Sequence, residues 1–198
     1  MAVSIEDIKK LKELTGVGLT DAKNALVEAD GNFDKALEAM RKKGLTRAEK
    51  KGEREAREGI IESYVHSGRI GVVVEINCET DFVARLDDFK KIGHEIAMQI
   101  AAMSPKYVSE SDIPAEEIER FKAEAMERIK NEGKPAEMAE KIVEGQVKKH
   151  FAEQVLMTQP YILDDKKTVE AYVKENIAKL GENIIVRQFK RIELGVTE

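Results

Sequence analysis

Cys78, His66, His94 and His150 are the side chains through which this chain could carry out covalent or metal chemistry. Cys78 would be a nucleophile if His66 or His94 stood within hydrogen-bonding reach to take its proton, with a third group to orient the base. The competing expectation is that Cys78 fills space in a strand, because free cysteine is among the most buried residue types. A single cysteine has no internal disulfide partner, no C-x-x-C or H-E-x-x-H spacing is present, and the histidines are far apart in sequence. No metal site is expected. Phosphate cradles are missing too: neither G-x-x-x-x-G-K-[ST] nor G-x-G-x-x-G occurs, and Gly16-Val17-Gly18 follows a helix pattern rather than a strand. The chain is therefore expected to hold no nucleotide or other cofactor of its own.

The composition narrows the partner classes. Of 198 residues, 33 are Lys or Arg and 38 are Asp or Glu, for a net charge of -5, and 42% are hydrophobic. A chain of this size buries roughly 70% of its unfolded surface, enough for a core. Tryptophan is absent and 5% of residues are aromatic, so no platform for stacking bases is expected. The apolar run Ile70 to Val74 is interrupted by Gly71 and ended by Glu75, far short of the roughly 20 residues of a membrane span. Glu6 and Asp7 stand where a signal peptide would be basic and then apolar, so a cytoplasmic protein is expected.

The elements that must position any site divide by pattern. Residues 1–43 read as three short helices. Ser4 and Asp7 have capping-box spacing before Ile5, Ile8, Leu11 and Leu14. Thr20 is expected to cap a second helix with Ala22, Ala25, Leu26 and Ala29 inside. Asn32 caps a third, with Phe33, Ala36, Leu37 and Met40 inside and Gly44 as its left-handed stop. About 40 residues is near the lower limit for a domain that folds alone. Residues 44–58 read as a charged linker. From Met40 to Glu58 there are eight bases interleaved with four acids and no aromatics, which favours a solvated tether over a nucleic-acid contact.

Residues 59–198 read as an α+β core. Ile60 to His66 and Arg69 to Cys78 flank Ser67-Gly68, a hairpin signal, and Asn183 to Leu194 is expected as a third antiparallel strand. A stripe through Phe82, Leu86, Phe89, Gly93, Ile96, Ile100 and Met103 predicts one helix capped by Thr80, and periodicity alone places Phe82 in the core. Further helices are signalled at Pro114 to Asn131, Pro135 to about Leu156, and Thr168 to Leu180, the second pair as a hairpin. Residues 109–145 hold eleven acids against six bases, a surface that would repel nucleic acid.

The most specific segment is Glu75-Ile76-Asn77-Cys78-Glu79-Thr80-Asp81-Phe82-Val83-Ala84-Arg85, which resembles the core signature of the elongation factor Ts family, the exchange factors of the GTPase elongation factor Tu. Leu11 to Leu26 resembles that family's N-terminal signature, and Gln159-Pro160-Tyr161 with Thr168-Val169 its C-terminal part, so the likeness covers essentially the whole chain.

The resemblance implies a three-helix domain similar to ubiquitin-associated domains, then a helix-rich core with a small antiparallel sheet. It implies no enzymatic step. Exchange factor and GDP bind one GTPase, and by linkage each lowers the other's affinity by the same factor. Thr80, Asp81, Phe82 and Val83 are implied to dock beside the partner's magnesium site, with Phe82 as an aromatic wedge. Lys12, Leu19 and Thr20 are implied to dock the N-terminal domain. The family usually carries Arg in place of Lys12 and bulky apolar residues in place of Leu19 and Thr20, and Lys lacks the planar fork of Arg. Longer members have two core subdomains, while this chain has room for one, so a homodimer is implied. Two other classes stand beside this reading: an adaptor that uses the N-terminal helices alone, and a thiol enzyme built on Cys78.

Overall fold

Ser4 opens α1 (Ile5–Thr15), its hydroxyl accepting from the Glu6 N–H at 3.1 Å, and Gly16 closes it at φ 66. A side chain at Gly16 would be strained, and its Cβ would fall 2.7 Å from the Cα of Lys179. Helices α2 (Leu19–Glu28) and α3 (Phe33–Lys51) follow, with Ile8, Leu11, Ala22, Ala25, Leu26, Ala36 and Met40 forming their shared core with α1. The computed structural model describes residues 3–131 and 136–196.

Three local expectations differ from this structure. Gly18, not Thr20, is the N-cap of α2, and no side chain caps that end. Ile5 and Leu14 are exposed, so only the middle of the α1 stripe is buried. Gly44 does not stop α3, which continues to Lys51. Its role is close approach: a Cβ there would lie 3.2 Å from the Ala178 Cβ of the helix alongside, and Ala48 then enters the main core.

The hairpin forms as the sequence predicts. Strands β1 (Glu58–His66) and β2 (Ile70–Cys78) pair antiparallel, with Ser67 and Gly68 at φ 50 and 67 making the tight turn. The third strand, β5 (Ile185–Glu193), pairs antiparallel with β2, giving the order β1-β2-β5. Between them the chain is helical: α4 (Asp81–Ala84), α5 (Asp87–Met103), α6 (Ala115–Asn131), α7 (Ala136–Ala152) and α8 (Val169–Leu180). The start of α7 at Pro135 lies outside the described residues. The helical hairpin is formed by α6 and α7, with its own small core of Ala125, Ile129, Ala139 and Val143, and not by the second pair as expected, because α8 packs on α3 instead. A small hairpin, β3 (Pro160–Tyr161) and β4 (Asp164–Thr168), precedes α8. The architecture is thus α+β: three helices, then a helix-rich core with a small antiparallel sheet.

The main core lies between one face of the sheet and α5, α8 and the end of α3. Val72, Val74, Ile76, Phe89, Ile92, Ile96, Ile100, Val173 and Ile177 are its centre. The opposite face of the sheet carries exposed Ile61, Val65, Val73 and Ile192. Among the described residues no helix is long and apolar enough to cross a membrane.

Candidate partner-binding site

The expected single helix from Phe82 to Met103 is broken. After α4, the Leu86 N–H bonds to the Val83 carbonyl at 3.0 Å, and Leu86 is extended (φ -65, ψ 138) as the N-cap of α5. The break changes which residues face inward. Val83 and Ala84 are buried in the main core, whereas Phe82 is 76% exposed. Core packing of Phe82, which periodicity favoured, is therefore overturned: the stripe assumed one helix axis, and α4 does not share that of α5.

The turn that carries Phe82 is held from behind. Thr80 is the N-cap of α4, its hydroxyl accepting from the Val83 N–H at 3.4 Å and donating to Glu182 Oε1 at 2.6 Å. Glu182 Oε2 accepts from the N–H groups of Glu79 and Thr80 at 3.1 and 3.0 Å. In return Glu79 Oε1 accepts from the Asn183 N–H at 2.7 Å. Asn183, itself buried, donates through Nδ2 to the carbonyls of Gly52 and Arg54 at 3.3 and 2.7 Å, and Lys51 donates to the Gly181 carbonyl. The linker, helical as far as Lys51, is thereby tied to the loop after α8. Asp81 points outward and pairs with Arg85 at 2.8 Å.

Lys12 and Leu19 meet on another part of the surface. With Gly16 they line an open groove of about 600 Å³ whose other wall is Asp88, Lys179 and Leu180. Asp88 sits in the first turn of α5, six residues beyond Phe82, and Lys179 pairs with it at 2.9 Å. Leu19 is 55% exposed. Thr20 is exposed but does not line the groove. The seven expected residues thus divide: Asp81, Phe82, Lys12, Leu19 and Thr20 face solvent, Thr80 is half-buried and engaged by Glu182, and Val83 anchors α4 in the core. Glu79 lies within the motif but was given no role, and Glu182 and Asn183 were not singled out as site residues by sequence reasoning. The only signal for Glu182 and Asn183 is the turn at Gly181, since contacts spanning about a hundred residues leave no periodicity.

Cys78 has no base. It lies opposite Glu58 at one end of the hairpin while His66 lies opposite Ile70 at the other. His94 faces Glu62, at 3.6 Å, in the middle of β1. The thiol is fully buried and donates to the Thr80 carbonyl at 3.2 Å. Burial, reinforced by the charge of Glu182, pushes its pKa from 9.0 up to about 11, so it is protonated at neutral pH. The Cys–His dyad, and with it the thiol-enzyme alternative, loses its geometric basis.

What this arrangement offers is a rigid, outward-facing aromatic and carboxylate on the core and a second exposed patch on a small helical module. Comparison with known proteins covers nearly the whole length. Residues 5–196 match the family model described as elongation factor TS. The chain is 50% identical over 196 residues to the elongation factor Ts of Fervidobacterium nodosum, covering 98% of this chain and 100% of that one. It is also 50% identical to the elongation factor Ts of Caldanaerobacter subterraneus subsp. tengcongensis, covering 98% and 97%, and to that of Coprothermobacter proteolyticus, covering 98% and 100%. The chain belongs to the elongation factor Ts family.

Proposed function

We propose that this protein is a guanine nucleotide exchange factor of translation that binds elongation factor Tu and promotes release of GDP. One observation carries the reading: Phe82 stands 76% exposed on a turn whose backbone is bonded from behind and whose neighbours Val83 and Ala84 are sunk in the core. A rigid apolar side chain in water gains by burial in a partner and loses little conformational freedom doing so. Asp81 stands beside it and supplies the carboxylate. Lys12, Leu19 and Thr20 supply a second, separate contact that adds affinity. Binding energy spent on disturbing the metal and phosphate ligands of the GTPase weakens GDP by the factor that GDP weakens the exchange factor. No bond is made or broken, and neither a cofactor, a nucleic acid nor a membrane is required, which fits a cytoplasmic protein.

The test is release of labelled GDP from elongation factor Tu with and without this protein. Acceleration supports the reading; an unchanged release rate removes it.

The same reading includes a homodimer. The outer sheet face exposes Ile61, Val65, Val73 and Ile192, apolar surface that a second copy of the half-core would cover. Light scattering is expected to give about twice the 22.2 kDa chain mass, and Ile61→Asp with Ile192→Glu to reduce it to one. A wild-type monomer with full exchange activity would defeat the dimer while leaving the exchange reading in place.

A further inference from the structure

The loop between α8 and β5 joins the two exposed patches through adjacent residues. Glu182 alone satisfies three donors of the turn that carries Asp81 and Phe82: the N–H groups of Glu79 and Thr80 and the Thr80 hydroxyl, at 3.1, 3.0 and 2.6 Å. Asn183 holds the segment leaving α3 through the carbonyls of Gly52 and Arg54. The Glu79–Arg54 ion pair at 3.5 Å and the Lys51 bond to the Gly181 carbonyl close the ring. Lys179, two residues before Gly181, packs against Gly16 at the end of α1 and pairs with Asp88 at the start of α5.

We propose that the Gly181–Asn183 loop is the positioning element of the docking surface, with Glu182 setting the α4 turn and Asn183 setting the place of the N-terminal helices relative to it. This rests on the exchange reading above. A four-residue helix has too few internal hydrogen bonds to persist alone, so its orientation must come from its anchors. The first anchor is the carboxylate of Glu182, whose charge-assisted bonds are stronger than neutral ones. The second anchor is the burial of Val83 and Ala84. Phe82 acts only if its ring arrives at a fixed angle, and Glu182 fixes the peptide planes immediately before it. The side-chain hydrogen bonds of Asn183 go to the segment after α3 and not to α4. Its amide holds the segment that leaves α3, and so adds to the packing of Gly44 and Ala48 in setting where Lys12 and Leu19 stand. Two neighbouring residues should therefore fail in different ways.

The experiment is GDP release from elongation factor Tu as a function of exchange-factor concentration, with variants Glu182→Ala, Glu182→Gln, Asn183→Ala, Phe82→Ala and the pair Glu182→Ala with Phe82→Ala. Glu182→Ala is expected to lower the release rate at saturation about tenfold while the half-saturating concentration moves less than about threefold. Glu182→Gln, which keeps an acceptor for the two N–H groups, is expected to stay within about threefold of wild type. Asn183→Ala is expected to show the reverse split, a raised half-saturating concentration at an unchanged maximal rate. The double variant is expected to be no slower than Phe82→Ala alone, because a residue that acts through Phe82 has nothing left to position.

Multiplying effects in the double variant, or a wild-type maximal rate for Glu182→Ala beside a slow Phe82→Ala, would overturn the positioning role while sparing the exchange reading. A wild-type rate for Phe82→Ala would instead overturn the Phe82 mechanism and this proposal together. Should Glu182→Ala not fold, Thr80→Val removes one of the three donors and takes its place in the same cycle.

Discussion

Phe82 and Leu19 are both exposed apolar side chains in the first turn of a helix, yet the two helices are built differently. Helix α2 has ten residues, begins at Gly18 without a side-chain cap, and is fixed by Ala22, Ala25 and Leu26 packing on α1 and α3. Helix α4 has four residues, and its cap, Thr80, is bonded to Glu182, 102 positions away. The N-terminal patch is thus made by local sequence and the core patch by distant sequence. Leu19 is carried by a module with its own small core, whereas Phe82 is carried by the main core itself. Substitution at the first should alter how often the complex forms, and at the second what the complex does.

The largest expected effect tests the contrast between Phe82 and its buried counterpart Phe89, which is fully enclosed by the main core. Phe89→Ala should cost about 3 to 5 kcal/mol of folding stability, or roughly 6 to 20 °C in Tm for a chain of this size. Phe82→Ala should melt close to wild type. Equal losses in the two variants would break the comparison, because Phe82 would then be supporting the fold.

Cys78 probes the foot of α4, and the N-terminal module has no equivalent. Its folded pKa is raised, so the folded protein keeps the thiol proton after the unfolded chain has released it. Below about pH 8.5 both states are protonated and the full stability is present; as pH climbs toward about 11 stability falls, by up to about 2 to 3 kcal/mol. Denaturant melts at pH 8 and pH 10.5 should show a larger loss in wild type than in Cys78→Ala, which keeps the part due to Tyr161 and Tyr172, raised by burial and Glu95, and to Tyr107, raised by its bond to Glu117. A Cys78→Ala variant with the same loss would assign it elsewhere.

Third in size is the effect on exchange. Phe82→Ala should slow GDP release at saturating factor by at least about tenfold, equivalent to about 1.4 kcal/mol. Full release activity in a well-folded variant would remove Phe82 from the mechanism.

Much of the fold was legible because it rests on local rules. Ser67-Gly68 between two β-branched runs gave the hairpin, and Asn32 capped α3, accepting from the Lys35 N–H at 3.0 Å. The expectations that missed were those decided by tertiary contact. Gly44 looks like a helix stop, but its missing side chain is used to let α8 approach. Phe82 fits the α5 stripe by spacing, and only the turn at Leu86 takes it out of phase. The role proposed for the exposed site rests on the motif around Asp81 and Phe82. Its support came from Glu182 and Asn183, residues whose significance lies wholly in long-range bonds and which no periodicity marks.

Leu19→Ser should raise the concentration of factor needed for half-maximal release by about tenfold, the cost of one well-buried apolar contact at an interface. The maximal rate should hold, and so should the melting temperature, since the side chain is 55% exposed in the free protein. Lys12→Arg should act in the opposite direction, lowering that concentration by restoring a planar fork. A fall in maximal rate for Leu19→Ser would erase the distinction between the two patches.

The smallest expected effect is the stability change at Asp81. Its pair with Arg85 joins two side chains that are 45% and 76% exposed, at i,i+4 spacing, a geometry worth about 0.3 to 0.5 kcal/mol. A negative charge in the first helical turn adds about 0.3 to 1 kcal/mol at most. Asp81→Asn should therefore melt within about 1.5 kcal/mol of wild type, yet slow GDP release at saturation by several-fold, because the charge is absent while the shape is kept. Arg85→Ala sharpens the test. It leaves Asp81 in place but unpaired, so if the carboxylate must leave Arg85 to act on the partner, this variant should release GDP as fast as wild type or faster. A rate as low as that of Asp81→Asn would mean instead that the pair acts as a unit and that Asp81 serves only to shape α4.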